Sequence, residues 1–340
     1  MKVDVLESLD AVGGAAWAQL HAASALRSPF LTFTWQRTWT RAFAGSMRVE
    51  IRTVRDGEGR LVAVLPLYEA EPRLWRLIGG TGVSDYLDLL AVAGGEEDAW
   101  LALLRSRTDG SVWDLHALPA TSPTVPLLPR LAPACGLVAT ASVEERCPVL
   151  ALPGSWDAYL TTLSPRHRHE MLRKVRRLHR EAPDARVSSV DRPGDVRARF
   201  DDFLHLHRRS RAGKARFMDE RMEGFFREAI AALAGDGGAR IWFLDTAAGP
   251  IATFICLEWD GSVGLYNSGF HPDRASLAPG LVLLTAVVQD AITRGKARFD
   301  FLRGEERYKY EFGPAPEDVY AVRVERATAD AGERTGAAAR

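Results

Sequence analysis

The sequence predicts a mixed α/β fold (α+β, mixed sheet) built as two successive units, and three observations carry that prediction. At 340 residues the chain is too long for one ordinary core and suits two of roughly 150 residues each. Short β-rich runs alternate with helical patterns in both halves. The second half then keeps the order helix, helix, strand, strand, strand, helix, strand, which sets a strand, a loop and a helix N-terminus in succession. Free backbone N–H groups point outward at such a junction and can bind phosphate.

Composition narrows the class. Hydrophobic residues make up 46% and charged residues 26%, the balance of a soluble globular enzyme. Lys+Arg and Asp+Glu are equal at 44 each, so a polyanion must be met by a local patch. Cys135, Cys147 and Cys256 lack the spacing of a metal or redox motif and argue against a disulfide framework. The amino terminus carries acids without a continuous apolar run, and no stretch of about eighteen apolar residues follows. A cytoplasmic protein without a signal peptide is the expectation.

In the first half, residues 15–26 have helical spacing, and 28–43 (SPFLTFTWQRTWTRAF) read as a second helix after a turn. Strand signals at 49–55 and 61–67 flank Asp56-Gly57-Glu58-Gly59, a hairpin pattern. Further short strands are expected at 74–78, 86–91 and 112–116. Gly79-Gly80-Thr81-Gly82 lacks the Lys-Ser/Thr of a phosphate loop and reads as a turn. Pro119, Pro123, Pro126, Pro129 and Pro133 forbid a long helix there. A strand at 147–152 follows, giving a first unit of 1–150 and a second of 151–326. The tail 327–340 is small, polar and patternless, and disorder is expected.

The second half opens on Ser164-Pro165, a capping residue with proline at the first helical position. That helix runs to Glu181, before Pro183, and others cover 196–209 and 220–233. Strands follow at 240–245, 251–259 and 262–270, then an apolar helix at 281–294 and a strand at 298–302.

Three segments here, LHRRSRAGKARFMDERMEGFFREAIAAL (206–233), LYNSGFHPDRASLAPGLVLLTAVV (265–288) and FDFLRGEERYKYEFG (299–313), resemble the GNAT acyltransferases of the CelD/FemAB-like group. SPFLTFTWQRTW, LVAVLPLY and GVSDYLDLL are similar to the N-terminal unit of the same proteins. The resemblance implies tandem GNAT-like folds, the first degenerate and the second holding the acyl donor. It implies acetyl-CoA or another acyl-CoA as co-substrate, no metal, and an amine or hydroxyl acceptor on a small molecule, a glycan or the cell envelope. The Fem branch of the group uses aminoacyl-tRNA, which makes Fem-like transfer the alternative and tRNA the one nucleic acid it would bring. A catalytically inactive GNAT scaffold is the second alternative. The family's Arg/Gln-x-x-Gly-x-Gly/Ala loop is replaced by Arg274-Ala-Ser-Leu-Ala-Pro-Gly280, with one glycine.

The donor candidates are therefore Arg274, Ser276, Pro279, Gly280 and Leu281, which otherwise read as an ordinary helix start. Asp300 or Glu306 is the candidate base or amine-binding group, with Arg303 and Lys309 nearby. The same residues also fit an ion-pair network that fixes a loop. Tyr266 is the candidate proton donor and Tyr308 its rival, although aromatic residues on strands are commonly core. In the helix at 165–181, Arg166, Arg168, Arg173, Lys174, Arg176, Arg177 and Arg180 face only Glu170 and Glu181. That bias points to an anionic partner, with Arg173 and Arg176 as contacts. His207 and Arg211 extend the basic character. Asp85, Tyr86 and Asp88 follow the Gly-rich turn and are candidates to line a cleft.

Overall fold

The expected alternation of strands and helices sorts, in the computed structural model, into two units. The structure describes residues 1–80, 82–107 and 109–327; the tail expected at 327–340 lies, apart from Ala327, outside them, as does Thr81 of the Gly-rich turn. One unit is Met1–Glu145 with the described residues from Asp318 on, the other Arg146–Glu317.

The first unit begins with β1 (Lys2–Leu6), α1 (Gly14–Ala23) and a 3-10 turn, Pro29–Leu31, before α2 (Phe33–Trp39). The single helix expected over 28–43 is broken at Thr32, whose extended backbone (ψ 148°) ends the turn while its hydroxyl accepts from Trp35 N–H. Next come β2 (Val49–Arg55), β3 (Leu61–Glu71), β4 (Leu74–Leu77) and the two-residue β5 (Leu90–Ala91). They are followed by α3 (Glu96–Arg105), β6 (Val112–Pro119), α4 (Thr124–Leu131) and β7 (Leu137–Ala151). The motifs that carried the resemblance here wire the core together. Ser28 donates to the Tyr86 carbonyl, Gln36 to the carbonyls of Phe30 and Ile78, and the Trp35 indole to Ser84. Asp85, Tyr86 and Asp88 are all buried. Asp88 accepts from the Leu89 N–H and the Thr124 hydroxyl, and burial pushes its pKa up to about 6. Near β6, His116 sits 2.9 Å from Asp114 and 3.3 Å from Glu144, and Arg76 is 2.9 Å from Asp114.

The second unit continues with α5 (Trp156–Thr162), α6 (Pro165–Glu181), β8 (Arg186–Val190), α7 (Pro193–Ser210), α8 (Ala212–Phe217) and α9 (Glu220–Gly235). After these lie β9 (Ala239–Thr246), β10 (Gly249–Trp259), β11 (Ser262–Phe270), α10 (Pro279–Thr293), β12 (Arg298–Asp300) and α11 (Arg307–Tyr310). The strands run β7 (its end), β12, β11, β10, β9, β8 across the sheet. The neighbours β8 to β11 are antiparallel, whereas β11 and β12 are parallel for three pairs only, Ser262–Arg298 to Gly264–Asp300. Beyond that point β11 runs on to Phe270 paired with β10 but not with β12, and Phe301 N–H turns away to the Pro148 carbonyl. α10 is apolar because it is buried against both the sheet and α6. α7 packs against β11 at Gly269, where a Cβ would lie 2.5 Å from the His207 nitrogen, so only glycine allows that approach.

β13 (Ala315–Arg326) follows and pairs antiparallel with β6, from Val319–Pro119 to Val324–Trp113. A division at residue 326 assigns this strand to the second half, but from Asp318 on it belongs to the first unit. Among the described residues no helix is long and apolar enough to cross a membrane.

Candidate active site

Where β11 and β12 part, the second unit holds a cavity of about 280 Å³. One wall is the start of α10. Ala278 is left-handed (φ 49°), and no side chain caps the helix. Val282 N–H bonds back to the Ala278 carbonyl, which leaves Gly280 and Leu281 N–H groups unpartnered among the described residues. A Cβ on Gly280 would meet no atom within 4 Å, so the backbone there is open to a ligand. Pro279, Gly280 and Leu281 all line the cavity. Arg274 and Ser276 do not: they lie exposed on the 3-10 turn Pro272–Leu277, which turns their side chains to solvent.

The loop after β12 forms a second wall. Lys309 is buried, and its ammonium donates to the carbonyls of Phe301, Arg303 and Gly304. With its protons directed at those oxygens, it meets Glu306 as a close ion pair, Nζ to Oε2 2.9 Å. Lys309 is thus an internal strut, and what it presents to the cavity is Glu306. Burial alone pushes the Glu306 carboxyl up, but Lys309, with Arg211 beyond, outweighs this and holds it below the usual carboxylate range. Gly304 (φ 98°) completes the fit, since a Cβ there would lie 2.7 Å from Glu306 Oε2. Asp300 is buried beneath the loop, where it accepts from Leu302 N–H and steadies a turn whose Leu302 has φ 53°; it does not reach the cavity. Arg303 likewise contributes its carbonyl to Lys309 and lies outside the lining.

The junction of α7 and α8 supplies the third wall through Ser210 at the end of α7, Arg211 between the helices and Lys214 on α8. Lys214 donates to the carbonyl and hydroxyl of Ser268 on β11. Burial, with Arg211 adding repulsion, draws its pKa down to about 8. His207 stands behind this wall. Its Nδ1 donates to the same Ser268 carbonyl, which fixes the tautomer, and burial followed by the charge of Lys214 lowers its pKa to about 4. A neutral, buried His207 is a packing residue rather than a substrate contact.

Phe254, Phe270 and Tyr308 complete the lining. Burial and the Glu306 charge push the Tyr308 phenol up, so it keeps its proton at neutral pH. Tyr266 is elsewhere. The register slips between Ile255 and Cys256, leaving Tyr266 as the extra residue of a β-bulge. The bulge turns its ring onto Phe226 of α9, centroids 5.6 Å apart. On α6, Arg173 and Arg176 are exposed, and Arg173 is paired with Glu170 at 2.7 Å. Neither lines the cavity.

Of the residues expected from sequence, the cavity therefore gathers Pro279, Gly280, Leu281, Glu306, Tyr308 and Arg211. Sequence reading missed Lys214 and Ser268. Lys214 sits in a basic run, RAGKARF, where a half-buried cation looks like its solvated neighbours. Ser268 is one polar residue on a strand, and nothing in its spacing marks it.

Residues 165–310 match the family model described as an acetyltransferase (GNAT) domain. Among solved structures the chain is similar to FemX, at 11% identity and TM-score 0.63 over 94% of this chain and 96% of that one. It is also similar to the C-terminal domain of a putative lysylphosphatidylglycerol synthetase from Agrobacterium fabrum, at 13% identity and TM-score 0.60 over 94% of each. A conserved protein of unknown function from Bacteroides thetaiotaomicron has 10% identity and TM-score 0.61 over 95% of this chain and 100% of that one. These likenesses establish the fold across the chain. No curated protein matches the sequence.

Proposed function

We propose that the cavity of the second unit, of which residues 165–310 match the acetyltransferase (GNAT) domain model, receives the acyl end of an acyl-CoA and passes the acyl group directly to an amine. The observation that supports this reading is one cavity holding both the open start of α10 and the group Glu306–Tyr308. The donor brings a thioester carbonyl, and everything else is asked of the chain. The Gly280 and Leu281 N–H groups suit the diphosphate oxygens, at the positive end of a fifteen-residue helix. Phe254, Phe270 and Leu281 give the acyl chain an apolar bed.

Glu306 receives the acceptor's ammonium. As a carboxylate with a lowered pKa it is a weak base, so it orients the amine and relays a proton to solvent. The free amine attacks the carbonyl; as the C–N bond forms and the C–S bond breaks, the attacking nitrogen gives up its second proton to solvent. Tyr308, still protonated, gives its proton to the departing sulfur and regains one from solvent. The balance is one amide, one thiol and the proton released by the ammonium. No enzyme-bound acyl intermediate is needed.

The test is thermal unfolding with millimolar acetyl-CoA, CoA and a longer acyl-CoA, on the wild type and on Gly280→Leu. A ligand at a hundred times its dissociation constant adds about 2.7 kcal/mol, which raises the midpoint by several degrees. The variant's side chain meets no protein atom at Cβ and projects into the ligand space, so the shift should vanish while the unliganded midpoint holds. No shift with any of the three would sink the acyl-CoA reading.

A second reading, transfer from aminoacyl-tRNA, has one feature in its favour. Arg166 and Arg307 border a depression of about 580 Å³ beside α6 and make no ion pair among the described residues, and Arg168 and Arg176 add unpaired charge along that helix. Salt-dependent tRNA binding by a chain that ignores every acyl-CoA would select it.

A further inference from the structure

The cavity is divided by charge. Glu306 is matched from behind by Lys309. Arg211, between α7 and α8, and Lys214, on α8, make no ion pair among the described residues. The hydrogen bonds of Lys214 go to the two oxygens of Ser268, both uncharged, which leaves one of its three ammonium protons over. Arg211 brings a guanidinium with none of its donors engaged. Lys214 is half-buried, and a half-buried cation without a counter-ion is costly to keep; a ligand that carries the anion removes the cost, with the exposed Arg211 on the same wall. The diphosphate of the donor has its own seat at the start of α10, so the anion that Arg211 and Lys214 await belongs to the other substrate. The Glu306 charge reaches Lys214, although the two form no ion pair among the described residues. What fits such a gap carries a cation toward Glu306 and an anion toward Arg211 and Lys214.

We propose that Arg211 and Lys214 bind the carboxylate of the acceptor while Glu306 holds its amine, so that the acceptor is a free amino acid. This rests on the acyl-CoA reading given above. It assigns a role to Lys214 that the motif pattern does not suggest.

The experiment measures thiol release from whichever acyl-CoA gives the largest thermal shift. The acceptors are the twenty amino acids, each beside its decarboxylated amine, such as glycine with methylamine and lysine with 1,5-diaminopentane. The expected result is at least one amino acid preferred over its amine by about tenfold or more in kcat/KM. Lys214→Met and Arg211→Met should each shrink that preference toward unity. The unfolding midpoint reports whether each variant folds, and the acyl-CoA shift whether it still binds donor. Equal use of amines and amino acids overturns the proposal, as does a preference that survives both substitutions. So does failure to use any amino acid by an enzyme that binds its donor. A wild type whose midpoint no acyl-CoA moves overturns the donor reading as well, and that outcome is distinct from the other three.

Discussion

Replacing Gly304 by alanine tests the geometry of Glu306 without touching the carboxylate itself. Two effects add. The backbone at φ 98° is one that side-chain-bearing residues avoid, at a cost of about 1–3 kcal/mol. The new Cβ would also lie 2.7 Å from Glu306 Oε2 and 3.3 Å from its Cδ, so the carboxylate must swing away from Lys309. Because the Glu306 side chain is 42% exposed, the lost ion pair is discounted to about 0.5–1 kcal/mol. The sum is about 1.5–4 kcal/mol, a fall in midpoint of roughly 3–16 °C for a domain of this size. A carboxylate displaced by about an ångström should lower kcat/KM by at least about tenfold. The same substitution in a Glu306→Ala background separates the effects, since there the clash has no partner. Strain alone should remain, the double-mutant cycle should show an interaction of about 1 kcal/mol, and kcat/KM should barely fall further. Full additivity in both stability and turnover would refute the packing of Gly304 against Glu306.

Two further outcomes are expected. The carboxylates of Asp114 and then Glu144 beside it raise the His116 pKa to about 9, so its contribution to stability is fully present below pH 6.5 and is lost as pH rises through about 9. Urea titrations should show a decline on the order of 3 kcal/mol across that window, absent in His116→Gln, and an unchanged slope in the variant would dismiss the cluster. Tyr308→Phe should cut kcat by about a hundredfold while Tyr266→Phe stays within about twofold; the reverse order would move proton donation to the bulged tyrosine.

The long helices and the central strands of the second unit were legible in the sequence because their signals are local, whereas the short α5, β8, α8 and α11 were not read. Ser164-Pro165 caps α6 as its pattern says, and the three runs from 240 to 270 become β9, β10 and β11. β13 was not read, although Val319, Val322 and Val324 carry buried positions, because its partner β6 lies some two hundred residues earlier. The site was legible where chain continuity decides it, as at Pro279–Leu281 and Glu306. It failed where tertiary geometry decides. A one-residue bulge turned Tyr266 from the cavity, three carbonyls drew Lys309 into the interior, and Lys214 gained its place only when α8 folded against Ser268.

The return of β13 bears on how the chain is made. A ribosome delivers residues 1–145 first, yet the strand that pairs with β6 emerges only after all of Arg146–Glu317. Domains that fold as they emerge normally finish in order. Here the earlier unit must wait for the later one, with the hydrogen-bonding side of β6 open meanwhile. An uncovered strand bearing Trp113 and Leu115 is the kind that recruits other chains. The second unit, which needs no strand from beyond its own span, is the one able to finish first, and the interval before β13 arrives is when this protein is most exposed to aggregation.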